Sequence, residues 1–133
     1  MSWSFWSLRS FWSFLLLALP LLSATADPWQ HIEIPSTLDG DLQPLHIVPA
    51  KTDEPRPLLV FLHWWSSDFN PAMATEWIAQ AQERDWHFAA PNFRGGNNRP
   101  EACASPLARQ DILDAVDYML ENYKVDESRI YLA

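Results

Sequence analysis

Residues 57–69 read PLLVFLHWWSSDF. Leu58 to Leu62 place apolar side chains on both sides of an extended backbone. A strand with one wet face alternates polar and apolar residues, whereas a parallel strand covered by helices on both faces has no reason to. The run therefore reads as a buried parallel strand that ends at His63 and opens into an aromatic, serine-bearing loop.

The flanks fit that reading. NPAMATEWIAQAQERD (70–85) offers Asn70 as a helix cap, Pro71 in the first turn, and Ala74, Trp77, Ile78 and Ala81 at helical spacing. WHFAAP (86–91) is a second short buried strand, and NFRGGNNRPEACA (92–104) is a long Gly/Asn/Pro loop. In SPLARQDILDAVDYMLENY, Ser105 caps a helix, Pro106 starts it, and Ala108, Ile112, Ala115, Val116, Met119, Leu120 and Tyr123 form one apolar stripe. RIYLA (129–133) begins another strand.

Upstream, WQHIEIP (29–35) and LQPLHIVP (42–49) each alternate, and Asp39-Gly40 between them signals a hairpin. A polar, proline-bearing loop over 50–57 follows. Hairpin, then strand–helix–strand–helix–strand, predicts an α/β fold: an antiparallel pair joined to a mostly parallel sheet with right-handed crossovers. Such sheets carry their chemistry at the carboxyl ends of the strands, where HWWSSDF and PNFRGG fall.

Residues 1–26 read as a secretory signal peptide. They carry one cation, Arg9, a short apolar core from Phe14 to Leu22, and Ala24-Thr25-Ala26 ahead of Asp27. An uncleaved membrane anchor is the other reading of this segment. The expected product, residues 27–133, is a single domain exported to the periplasm or the exterior. It holds all 17 acidic residues against eight basic ones, a net charge of −9. That acidity argues against nucleic acid or an anionic membrane surface as a partner. Cys103 is the only cysteine, so there is no disulfide framework and no cysteine zinc site; an inert, half-buried thiol is expected. His31, His46 and His87 lie in strand patterns without metal-ligand spacing. No metal or other cofactor is expected.

PLLVFLHWWSSD, APNFRGGNNRPEAC, QDILDAVDYML and VDESRIYLA resemble, in that order, the first half of the catalytic domain of prolyl-oligopeptidase-type serine hydrolases, which have the α/β-hydrolase fold. The resemblance spans about residues 57–133 and leaves peptidase and carboxylesterase both open. It implies that the loop after Leu62 helps build an oxyanion hole from a backbone N–H. Trp64 and Trp65 then belong to the oxyanion-hole loop, their indoles either walling a substrate pocket or plugging the sheet. Ser66 and Arg94 are further pocket candidates. Arg94 and Arg99 could hold a substrate carboxylate or pair with nearby acids. Many relatives have glycine in this loop; the two tryptophans depart from that pattern.

His63 comes too early in the chain to be the family's base and reads as a hydrogen-bonded structural group. Asp68 and Asp111 read as structural or solvated acids. Glycine occurs only at 40, 95 and 96, so none of Ser66, Ser67, Ser105 and Ser128 sits in Gly-x-Ser-x-Gly. The family's nucleophile would follow RIYLA, with the acid and base later still. The expectation is the N-terminal portion of an exported hydrolase of peptides or esters, inactive without its triad. A small secreted binding module using the aromatic loop 63–69, or a truncated product without function, are the competing readings.

Overall fold

Strand β3 (Arg56–Val60) lies second from one edge of a five-stranded sheet ordered β1-β2-β4-β3-β5 in the computed structural model, which describes residues 28–133. The proposed signal peptide falls outside the described residues. β1 (Gln30–Pro35) pairs antiparallel with β2 (Leu42–Val48), and β2 pairs antiparallel with β4 (His87–Pro91). β3 pairs in parallel with both β4 and β5 (Val125–Leu132). The expected mixed α/β sheet, an antiparallel hairpin feeding parallel strands, is the observed one.

The uninterrupted apolar run of β3 has a direct cause. Leu58 and Val60 enter a core with Leu45, Ile47, Ala89, Ala115 and Met119 beneath helix α2 (Pro106–Asn122). Leu59 and Phe61 enter a second core with Val48, Ile78, Ala81 and Phe88 beneath helix α1 (Thr75–Glu83). Both faces are covered, so both must be apolar. Each such side chain contributes about 1.5–3 kcal/mol on burial.

Local signals set the helix starts. Ser105 Oγ accepts the Ala108 N–H at 3.1 Å, with Pro106 in the first turn of α2. Asn70 Oδ1 accepts the Ala72 N–H at 2.9 Å, but the segment it caps is a 3-10 turn, Pro71–Ala74, from which α1 continues. Trp77, expected on the apolar stripe of α1, is 44% exposed and reaches only the rim of the core, 6.4 Å from the Phe61 ring.

One further expectation is revised, the start of the last strand, while the hairpin at Asp39-Gly40 holds, its connection a loop over Ser36–Asp41. That loop is closed by Ser36 N–H to Asp41 O at 2.9 Å and Gly40 N–H to Ser36 O at 2.8 Å, with Gly40 at φ +80°. β5 starts at Val125, four residues before RIYLA. Its register slips between the Arg56 and Leu58 pairings, and Asp126 there accepts from Ser128 and Arg129 instead of presenting a strand pattern. No helix among the described residues is long and apolar enough to cross a membrane.

Candidate active site

The sheet hydrogen bonding runs on past β3. Phe61 N–H donates to Ala89 O at 2.8 Å, Leu62 N–H to Ala133 O at 2.8 Å, and Ala133 N–H to Val60 O at 2.9 Å. The chain then leaves the sheet at His63, at the same level as the end of β5. Residues 63–70 fold over this edge as a tight loop. Ser67 N–H donates to Trp64 O at 3.1 Å, Ser66 adopts φ 57°, and Asp68 Oδ1 accepts the Asn70 N–H at 2.9 Å. Asp68 braces the loop, as expected.

The loop is held from two sides. Asn97 Nδ2 donates to His63 O at 3.0 Å, and His63 Nε2 donates to Asn92 O at 3.0 Å. The His63 imidazole is buried and stacks on Phe93, centroids 4.1 Å apart and planes 11° apart. It is the structural histidine its position in the chain suggested. A Cβ on Gly96 would lie 3.0 Å from Ser67 O, so glycine is what lets the two loops touch. From the other side His46 Nδ1 donates to Phe69 O at 3.0 Å. Burial holds the His46 imidazole below the usual histidine range.

Within this clamp the backbone N–H groups of Trp64, Trp65 and Ser66 donate to no acceptor among the described residues. The indoles do not plug the sheet: Trp64 is 51% and Trp65 65% exposed. Trp64 sets its edge against Phe61, centroids 6.4 Å apart. Trp65 helps to line a largely apolar cavity of about 430 Å³ with Leu62, Phe93, Ala108 and Ile112. Ser66 sits at the exposed tip of the loop, outside the residues lining that cavity. Cys103 borders the cavity and is exposed, not half-buried. Its Sγ donates to Asn97 O at 3.0 Å, while neighbouring Ala102 takes the buried position in that loop.

Arg94 lies apart from the aromatic loop, with φ 76° and its side chain only 9% exposed. Its Nε and Nη2 donate to Asp111 at 2.6 and 3.1 Å, and its Nη1 and Nη2 donate to Asp39 at 2.8 and 2.9 Å. The guanidinium fork is thus occupied by acids from the β1–β2 loop and α2. Those carboxylates hold Arg94 protonated more firmly than usual, and Arg94 in turn lowers the Asp39 carboxyl. Arg99 remains without an acidic partner among the described residues, donating only to Arg94 O at 3.3 Å. Asp111 is fully buried in the Arg94 pair and structural in role.

Asn97 and His46, which position the loop, carry no local signal of that role in the sequence. Asn97 lay inside a run of loop formers, and His46 is polar at a position that the one-wet-face reading of the hairpin assigned to water. No local spacing marks either residue.

No protein-family model matches the chain, and no curated protein matches it by comparison. Solved structures do. Esterase Est22 superposes with a TM-score of 0.62 at 18% identity, covering 78% of this chain and 33% of that one. S-formylglutathione hydrolase FrmB from Staphylococcus aureus gives 0.59 at 19% identity, over 78% and 45% of the two chains. Oligopeptidase B from Leishmania major gives 0.56 at 15% identity, over 78% and 16%. The chain therefore spans about a third of the length of Est22 and less of the peptidase. Its fold is that of part of an α/β-hydrolase.

Proposed function

We propose that this chain is the N-terminal part of the catalytic domain of an exported serine hydrolase acting on esters or peptides through an acyl-enzyme. One observation carries the reading: the unengaged N–H groups of Trp64, Trp65 and Ser66, in the loop that leaves the sheet just after Leu62 N–H meets Ala133 O. In a chain continuing past Ala133 with a strand-to-helix turn, a nucleophilic serine would emerge next to these donors. One of them, joined by the N–H following the serine, would stabilise the negative oxygen of the tetrahedral intermediate. The indoles would flank the acyl or leaving group, with Trp65 lining the apolar cavity.

On this reading residues 1–133 alone do not turn over substrate, because nucleophile, acid and base all lie further along. Export rests on the charge and apolar pattern of residues 1–26. The test is the coding sequence immediately beyond codon 133. A Gly-x-Ser-x-Gly stretch in some reading frame is expected, and its absence removes the proposal's main support. Ester or peptide turnover by the 133-residue chain itself, abolished by changing one of its own serines, would overturn it outright.

The exposure of both indoles also favours a second reading, an aromatic recognition loop on a small secreted module. A monomeric chain that unfolds cooperatively and binds a partner through Trp64 and Trp65, with no elbow encoded downstream, would select it.

A further inference from the structure

All four histidines lie among the described residues, and His63 and His87 set both ring nitrogens against backbone groups. His63 faces Asn92 O and Trp64 O. His87 Nδ1 accepts the Ala50 N–H at 3.0 Å, and its Nε2 donates to Lys124 O at 3.1 Å. His31 and His46 are arranged differently. They are register partners across the β1–β2 ladder, so their side chains share one face of the sheet. His31 Nδ1 stands 3.0 Å from His46 Nε2. Because His46 Nδ1 donates its N–H to Phe69 O, its Nε2 is the acceptor of this hydrogen bond and His31 Nδ1–H the donor. The Nε2 of His31 has no partner among the described residues, so the His31 proton can sit there instead. Two lone pairs then face one another.

We propose that His31 and His46 form a two-imidazole site for a divalent transition-metal ion, Cu²⁺ foremost. With metal–nitrogen bonds of about 2.0 Å, a nitrogen separation of 3.0 Å sets a nitrogen–metal–nitrogen angle of about 97°. That is close to the cis angle of a tetragonal ion such as Cu²⁺ or Ni²⁺, and Cu²⁺ heads the affinity order for nitrogen ligands. Tetrahedral Zn²⁺ would need the rings to part by about 0.3 Å. The Nδ1–H of His46 on Phe69 O is the outer bond that characteristically fixes a metal-ligating imidazole in its tautomer. His31 is exposed on the edge strand and gives the ion a way in, while His46 is buried behind it. The negative charge of Asp68 acts on His46 from the loop side. No group of three or more His, Cys, Asp or Glu side chains surrounds the point among the described residues, so water fills the other positions. Binding is balanced without any redox step: His31 moves one proton from Nδ1 to Nε2, and both nitrogens donate lone pairs. Through His46 and Phe69, the ion would fasten β1 to the loop that carries Trp64 and Trp65.

The test uses the full chain titrated with CuCl₂ at pH 7.5 in a non-chelating buffer. Electron paramagnetic resonance should show one tetragonal Cu²⁺ with nitrogen splitting from two imidazoles. Trp29, whose ring centroid lies 4.4 Å from that of His46, should be quenched on binding. His31→Ala, at an exposed edge position, should lower affinity by roughly tenfold or more and remove one imidazole from the spectrum. Trp29→Phe should abolish most of the quenching and leave the nitrogen count at two. Unchanged affinity and splitting in His31→Ala would overturn the proposal. So would a wild-type spectrum lacking the second imidazole, which would place the ion elsewhere on the chain.

Discussion

Asp111→Ala is the substitution from which the fold has most to lose at a polar position. The Asp111 carboxylate is completely buried and receives two bonds from Arg94, at 2.6 and 3.1 Å. Removing it leaves a guanidinium, itself only 9% exposed, with Asp39 as its remaining close partner and Asp41 at 3.3 Å on the surface. Charge-assisted bonds contribute roughly 1.5–3 kcal/mol each, and water entering the vacated space recovers part of that. Breaking one side of a buried pair costs about 3–5 kcal/mol; the surviving Asp39 contacts point to the lower end, about 3 kcal/mol. A domain of this size is stable by only ~5–15 kcal/mol, so the midpoint of thermal unfolding should fall by more than 10 °C, at about 4–8 °C per kcal/mol. Urea denaturation followed by circular dichroism measures the loss. The companion variant Arg94→Met/Asp111→Leu removes both charges and should recover most of it, since an apolar pair of similar volume avoids burying an unpaired ion. If Asp111→Ala lies within about 0.5 kcal/mol of wild type, the Arg94 cluster does not organise the β1–β2 loop against α2 and the reasoning fails.

Three further outcomes are expected. Burial depresses the affinity of both His46 and His87 for protons. The unfolded chain therefore binds more protons than the folded one, and their contribution to stability is complete above the unfolded value of 6.5 and declines as pH falls below it. Urea midpoints at pH 8, 6 and 5 should fall in that order, and His87→Gln should flatten the decline; a midpoint constant from pH 8 to 5 would contradict the burial of both rings. Ser105→Ala deletes the cap on the Ala108 N–H and should cost about 1 kcal/mol by the same assay, with Ser105→Asn restoring most of it. Gly96→Ala brings a methyl group to 3.0 Å from Ser67 O, a backbone atom with little room to yield. It should destabilise by about 1 kcal/mol and shift the tryptophan emission of the loop, and an unchanged spectrum would show that the two loops are not in contact.

How much of this could be read beforehand follows from the range of each interaction. β3 is legible because the five-residue apolar run Leu58–Leu62 states its burial locally, and α2 because Ser105, Pro106 and a seven-residue stripe agree. β5 was legible only from Arg129 onward. Its first half pairs across a register slip and carries Asp126, Ser128 and Arg129, which bond among themselves instead of alternating. Arg94 could be flagged but not assigned, since its partner Asp39 lies 55 positions away and becomes a neighbour only when the β1–β2 loop reaches the end of β4. The His31–His46 pair is hidden for the same reason. The two side chains lie fifteen positions apart and become neighbours only through antiparallel register, and no linear metal motif has that form.

The departure from glycine in the aromatic loop has a structural resolution. Glycine serves such loops by letting the backbone turn and approach closely, and here other residues meet each need. Ser66 takes the left-handed conformation at the turn, and Gly96 supplies the close approach from the facing loop. With the turn secured elsewhere, positions 64 and 65 can carry any side chain that points outward, and both indoles do. The loop is held at its ends: Asn97 Nδ2 on His63 O, His63 Nε2 on Asn92 O, and His46 Nδ1 on Phe69 O. A loop pinned at residues 63 and 69 and closed by Ser67 N–H on Trp64 O leaves the N–H groups of Trp64, Trp65 and Ser66 unconsumed. Under the proposed function these donors would form part of an oxyanion hole, where donors already aligned cost nothing to reorient as charge develops.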